Sequence, residues 1–161
     1  MPADLSTPTG PADAVAAAVE AFGGLDLLVV NSGGPPPGRF DDLDEAAWAG
    51  RHRRHAVGAI RLIRAALPHL REGRDPAILV ILSSSAREPI AGLTTSNLIR
   101  PGLAGLIKSL VEEIVPVRIN GLAPGRLGDR TGSPRSTRPG RRRPAIPVEE
   151  IARAHDRDAS R

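Results

Sequence analysis

The chain contains no cysteine and no tyrosine, and has one tryptophan, two phenylalanines and a single lysine, Lys108, among 161 residues. Without cysteine there is no disulfide frame, no thiolate nucleophile and no Cys-ligated zinc site. With so few aromatic rings, aliphatic and alanine packing has to fill the core. No stretch approaches the roughly 20 apolar residues of a membrane span. The opening MPADLSTPTG has neither the basic start nor the apolar run of a signal peptide. A soluble, cytoplasmic protein is therefore expected, and at this length a single domain.

What is abundant is arginine. The formal net charge is +4, a sign that would suit nucleic-acid phosphates. The positive charge collects in RLGDRTGSPRSTRPGRRRP, Arg126 to Pro144, a stretch rich in Pro, Gly and Ser with no aromatic residue on which a base could stack. It reads as a solvated flexible tail, so neither nucleic acid nor a membrane is expected as a partner.

Upstream of that tail, hydrophobic periodicity alternates regularly. PADAVAAAVEAF, Pro11 to Phe22, places Val15, Ala18, Val19 and Phe22 on one helical face, with proline at its start and Gly23-Gly24 at its end. LDLLVV, Leu25 to Val30, is a short branched run typical of a buried parallel strand. DDLDEAAW leads into a long helix carrying Val57, Ile60, Ile63, Leu67 and Leu70 on one face and ending near REGRDP. AILVIL, Ala77 to Leu82, repeats the strand signature, SNLIRPGLAGLIKSLVEEI the helical one, and VRING the strand again. Helix and strand in turn predict crossover units on a parallel sheet covered on both faces. Ligands in such sheets bind beyond the carboxyl ends of the strands. Those ends carry NSGGPPPG, SSSAREP and LAPGRLGD, all small, polar, and Gly- or Pro-rich.

Several chemistries find no support. A serine hydrolase would want a Gly-x-Ser-x-Gly elbow, and SSS lacks one. The four histidines are scattered, with no carboxylate pair at ligand spacing, so no metal site is expected. NSGGPPPG lacks the Gly-Lys-Ser/Thr of a triphosphate-cradling loop. His55, within RHRRH, reads as a solvated helix residue.

In order and spacing the three loops resemble those of the short-chain dehydrogenase/reductase family, from about Asp4 to Arg130, with a weaker echo in IPVEEIARA. GGLDLLVVNSGG is similar to the family segment ending Asn-Asn-Ala-Gly, with Val30, Asn31, Ser32 and Gly33 in the four places. ILVILSS resembles the strand ending in the active-site serine, here Ser83, and VRINGLAPGRL the strand before the Pro-Gly that packs on the nicotinamide, here Pro124 and Gly125. The resemblance implies a partial Rossmann-type, doubly wound parallel sheet flanked by helices over 1–131, followed by a flexible segment at 132–147 and a short helix or disordered tail at 148–161.

The family's Tyr-x-x-x-Lys pair falls, thirteen residues after Ser83, on Ser96 and Arg100. The family asparagine, seven residues after Trp48, falls on His55. A phenol titrates near pH 10 and can hand a proton to a carbonyl oxygen as hydride arrives at the carbon; an aliphatic hydroxyl is far less acidic. Arginine keeps the charge and can fork to ribose hydroxyls, but it does not deprotonate. A branch of the family resembles this chain in combining NSGGPPPG with Ser-Asn-x-x-Arg, which would make Ser96, Asn97 and Arg100 that branch's usual residues. Pro101, past the first helical turn, is expected to kink the helix that aims them.

The family's Gly-rich pyrophosphate turn is absent from the sequence. MPADLS resembles the loop after the third family strand, placing Asp4 and Leu5 near the adenine and the first two strand-helix units before Met1. The resemblance thus implies an NAD(P)-dependent oxidoreductase acting on a carbonyl or alcohol, similar to 3-oxoacyl reductases, and impaired or inactive in this truncated form. Its expected catalytic groups are Ser83, Ser96, Asn97 and Arg100. Its expected cofactor contacts are Asp4, Leu5, Asn31, Ser32, Gly33, Arg100, Pro124, Gly125 and Leu127. A small-molecule substrate of unspecified identity and a homo-oligomer through the two long helices complete the expectation. The alternative is a catalytically silent interaction module; an interior strand left at the sheet edge predicts poor stability or association.

Overall fold

The computed structural model describes residues 3–124. Helix α1, Gly10–Phe22, begins with Pro11 in its first turn and stops at Gly23, whose φ of 78° only glycine adopts at little cost and whose N–H caps Val19 O. Strand β1, Leu27–Val30, leads through the proline loop to α2, Glu45–His52, which Asp44 caps by accepting from Ala47 N at 2.7 Å. A π-helical turn, Arg53–Val57, joins α2 to α3, Gly58–Glu72. The long helix expected here therefore exists, with one widened turn inside it. Strand β2, Ala77–Ile81, helix α4, Thr94–Glu113, and strand β3, Arg118–Leu122, complete the order. α4 runs on through Pro101 as one element, so the expected kink does not break it.

The sheet is parallel, in the order β1-β2-β3, with Val30 beside Val80 and Val80 beside Gly121. Successive right-handed crossovers that keep advancing in one direction stay on one side of a sheet. That explains the single core cluster, in which Val30, Ile78, Val80 and Ile119 meet Val15 of α1, Leu62, Ala66 and Leu70 of α3, and Ile99, Leu103 and Ile107 of α4. Alternate strand residues point the other way. Leu27 and Val29 are 65% and 59% exposed, and Arg118 and Asn120 are exposed as well. The expected cover on both faces is thus present on one face among the described residues.

Candidate functional site

Three strand ends and the start of α4 supply the side chains. Beyond β1, Gly33 takes φ +69°, and its N–H donates to Asn31 Oδ1 at 3.2 Å, a local turn that aims its carbonyl inward. Further along, Gly38 N donates to Gly92 O at 2.8 Å, tying the proline loop to the loop after β2. Arg51 of α2 straps the proline loop to the first turn of α4, donating from Nη1 to Pro36 O at 3.0 Å and to Thr95 Oγ1 at 3.3 Å.

Beyond β2 a short 3₁₀ turn, Ser84–Ala86, folds the serine run back on itself. Ser83 Oγ accepts from Ser85 N at 3.2 Å, and Ser85 Oγ lies 3.0 Å from Ser96 Oγ. Ser85 and Ser96 are buried, so this hydroxyl pair is shielded from water. Asn97 exchanges two bonds of 2.9 Å with the Ile90 backbone, its amide donating to O and its oxygen accepting from N. Its carboxamide, expected among the catalytic groups, pins the 84–93 loop.

Arg100 sits one turn after Ser96 on the same buried face, as their spacing requires. Its Nη1 donates to Ile81 O at 2.8 Å and its Nη2 to Gly33 O, so one guanidinium joins the ends of β1 and β2. Its Nε–H is buried without a partner. Burial lowers the Arg100 pKa below the ordinary arginine value, but an arginine stays charged near neutrality.

His55 is 4% exposed, which corrects its reading as a solvated residue. The π turn supplies the extra residue at this point of the helix, a feature often met at functional positions. His55 Nδ1 lies 3.4 Å from Ser32 Oγ. Its pKa falls below the ordinary 6.5, first through burial and then through the fields of Arg100, Arg54 and Arg51, with the Ser32 backbone opposing. In the unfolded chain the ring regains its ordinary value, so below 6.5 the unfolded state binds more protons. The stability contribution is full above 6.5 and is lost as pH falls through the folded value. Unfolding free energy is therefore expected to drop more steeply between about pH 7 and about pH 5 in the wild type than in His55→Asn. Parallel pH profiles from urea titrations would contradict this.

Asp4 and Leu5 meet the same long helix. Asp4 Oδ1 accepts from Ser6 N at 2.9 Å and faces Arg54 at 4.0 Å; the backbone bond from Ser6 is the main cause of its lowered pKa. The Leu5 carbonyl packs so closely on Gly58 that an added Cβ would lie 2.7 Å from it. Beside them is a groove of about 570 Å³, lined by Ser6, Thr7, Pro8, Gly50, Arg53, Arg54 and Arg61. Pro124 lies two residues beyond β3; Gly125, Leu127 and the segments 132–147 and 148–161 lie outside the described residues.

The structure thus places Ser32 and Gly33 beyond β1 and Ser83 beyond β2, with Ser96 and Arg100 on the first turns of α4, where Ser96 meets Ser85 and Arg100 reaches Ile81 and Gly33. Sequence reasoning missed Ser85 and Arg51. The SSS run was the one available signal for Ser85, whereas nothing local marked Arg51 as a strap. No described helix is long and apolar enough to cross a membrane.

A family profile, short chain dehydrogenase, matches residues 1–139. Dehydrogenase/reductase SDR family member 4 of Sus scrofa is 32% identical over 114 residues, covering 69% of this chain and 41% of that protein. The solved NADH-dependent reductase A1-R′ complexed with NAD superposes at a TM-score of 0.73 with 26% identity, over 78% of this chain and 56% of its own. An NADPH-bound short chain oxidoreductase of Pseudomonas aeruginosa PAO1, noted for an atypical catalytic center, gives a TM-score of 0.73 with 25% identity, over 80% of this chain and 51% of its own. The chain therefore spans about half the length, or less, of these relatives.

Proposed function

We propose, because this chain belongs to the short chain dehydrogenase family, that it furnishes the substrate end of a nicotinamide cleft and takes part in NAD(P)-dependent interconversion of a carbonyl and an alcohol. The observation that carries this is Arg100, a permanent cation joining Ile81 and Gly33 one turn from the buried Ser96 hydroxyl.

These residues fit the cofactor in part. Arg100 has a buried Nε–H without a partner, and Gly33 leaves open backbone beside it, whereas no Gly-rich pyrophosphate turn stands in the sequence. When bound, the nicotinamide supplies or accepts the hydride. In this chain Asn31, Ser32 and Gly33 would line it, Asp4 and Leu5 would flank the adenine, and Pro124, Gly125 and Leu127 would follow the nicotinamide face. Arg100 would reach ribose hydroxyls, and Ser83 and Ser96 would hold the substrate oxygen.

The substrate class we favour is a 3-oxoacyl compound or its alcohol. Turnover should be slow, because Ser96 has a hydroxyl without a phenol's acidity. The test is absorbance of reduced nicotinamide with a 3-oxoacyl thioester and NADH or NADPH. Slow consumption that falls at least tenfold in Ser96→Ala is the expected outcome; no consumption with either cofactor would refute the reading.

The bare sheet face favours a second reading, an interaction module. The helix stripes expected at an oligomer interface are largely spent in the core: Ile63, Leu103 and Ile107 are buried. Leu27 and Val29 of β1, and Phe22, Ile60, Leu98 and Val111 of the helices, are among the described apolar residues that stay exposed. Elution of the chain as a monomer at micromolar concentration would remove this reading and the homo-oligomer with it.

A further inference from the structure

Of the side chains gathered at the two strand ends, the hydroxyls of Ser32, Ser83, Ser85 and Ser96 ionise far above neutrality, and Arg100 does not give up its proton. His55 alone can gain or lose a proton in the neutral range. It is buried, it rests against Ser32, and Ser32 is joined in the chain to Gly33, whose carbonyl Arg100 holds. The cation and the imidazole thus converge on the same three-residue turn, Asn31 to Gly33.

We propose that His55 is the proton acceptor of this cleft when an alcohol is oxidised, reached through the Ser32 hydroxyl. This rests on the oxidoreductase reading above. In the step, hydride leaves the alcohol carbon with both electrons for an oxidised nicotinamide. The alcohol O–H proton passes to Ser32 Oγ as the proton of Ser32 passes to His55 Nδ1, which requires the tautomer protonated on Nε2. The products are a carbonyl compound, reduced nicotinamide and an imidazolium that returns its proton to water. The charged groups facing His55, namely Arg100 from α4 and Arg51 and Arg54 from its own helix, are all cations and keep the imidazole neutral at rest, so that its lone pair is free. His55 acts through Ser32, and its role is to hold the transferred proton.

Two measurements on the full chain test this. In the first, the histidine rings are titrated by ¹⁵N NMR in the wild type and in Ser32→Ala. A hydroxyl donating to Nδ1 favours the neutral ring, so its removal should move the His55 midpoint upward. An unchanged or lowered midpoint overturns the relay whatever the activity shows. In the second, initial rates of oxidation of a 3-hydroxyacyl thioester with NAD or NADP are followed against pH. The wild type should lose about tenfold per pH unit below the His55 midpoint, and His55→Gln should be slower and flat over that range. An acid limb that persists unchanged in His55→Gln overturns the proposal. Absence of any oxidation in the wild type would count against the oxidoreductase reading, while the NMR comparison still decides the Ser32–His55 link.

Discussion

Arg100→Ala is expected to lower the unfolding free energy by about 2–4 kcal/mol and to abolish any hydride transfer the chain performs. The guanidinium donates to Ile81 O and Gly33 O, two carbonyls on neighbouring strand ends. Hydrogen bonds from a charged donor are worth about 1.5–3 kcal/mol each. Against that stands the cost of keeping a cation 4% exposed, which the alanine variant no longer bears. The bonds win because both acceptors lose their donor at once and alanine leaves a buried void with nothing to bond them. Arg100→Lys separates charge from geometry. An ammonium keeps the charge but cannot fork between two carbonyls, so it should restore less than half of the lost stability. Urea unfolding of the two variants measures this, and a lysine variant as stable as the wild type would show that the fork is unimportant.

Leu70→Ala should be the most damaging apolar change, at about 2–5 kcal/mol. Leu70 is 0% exposed in the last turn of α3, within the cluster that includes Ile78 and Val80. The chain has few large side chains to collapse into the void: its two phenylalanines, Phe22 and Phe40, are 84% and 70% exposed. Domains hold about 5–15 kcal/mol in total, so this loss is a large fraction of what one sheet face and three helices can supply. Leu70→Met, which preserves most of the volume, should cost under about 1.5 kcal/mol in the same urea titration. Equal losses in the two variants would mean that packing volume is not what Leu70 contributes.

The helices and strands were legible because apolar periodicity and the punctuation of Pro11, Gly23, Asp44 and Gly73 act locally. Strand limits moved by a residue or two: β1 begins at Leu27 and not at Leu25, where Asp26 already turns its carboxylate to Arg74 N at 2.6 Å. The π turn at Arg53–Val57 was illegible, since a five-residue widening leaves no mark on the apolar spacing around it. It matters, because this is the turn on which His55 enters the interior. The spacing of Ser96 and Arg100 placed them on one face correctly, but whether a face is buried depends on what packs against it. The Ser85–Ser96 contact, the Asn97–Ile90 pair and the Arg51 strap join residues that only the fold brings together. The three hydroxyls of SSS could not be ranked without the 3₁₀ turn that sends Ser85 inward.

Amide and side-chain NMR shifts of the labelled full chain, recorded during titration with NADH and then NADPH, test the nicotinamide cleft most directly. If the strand ends hold the cofactor, the perturbed signals should be those of Asn31, Ser32, Gly33 and Ser83, the Arg100 guanidinium and the His55 ring. Perturbation confined to Ser6, Thr7, Arg53 and Arg61 around the separate groove, or none at millimolar cofactor, would contradict it.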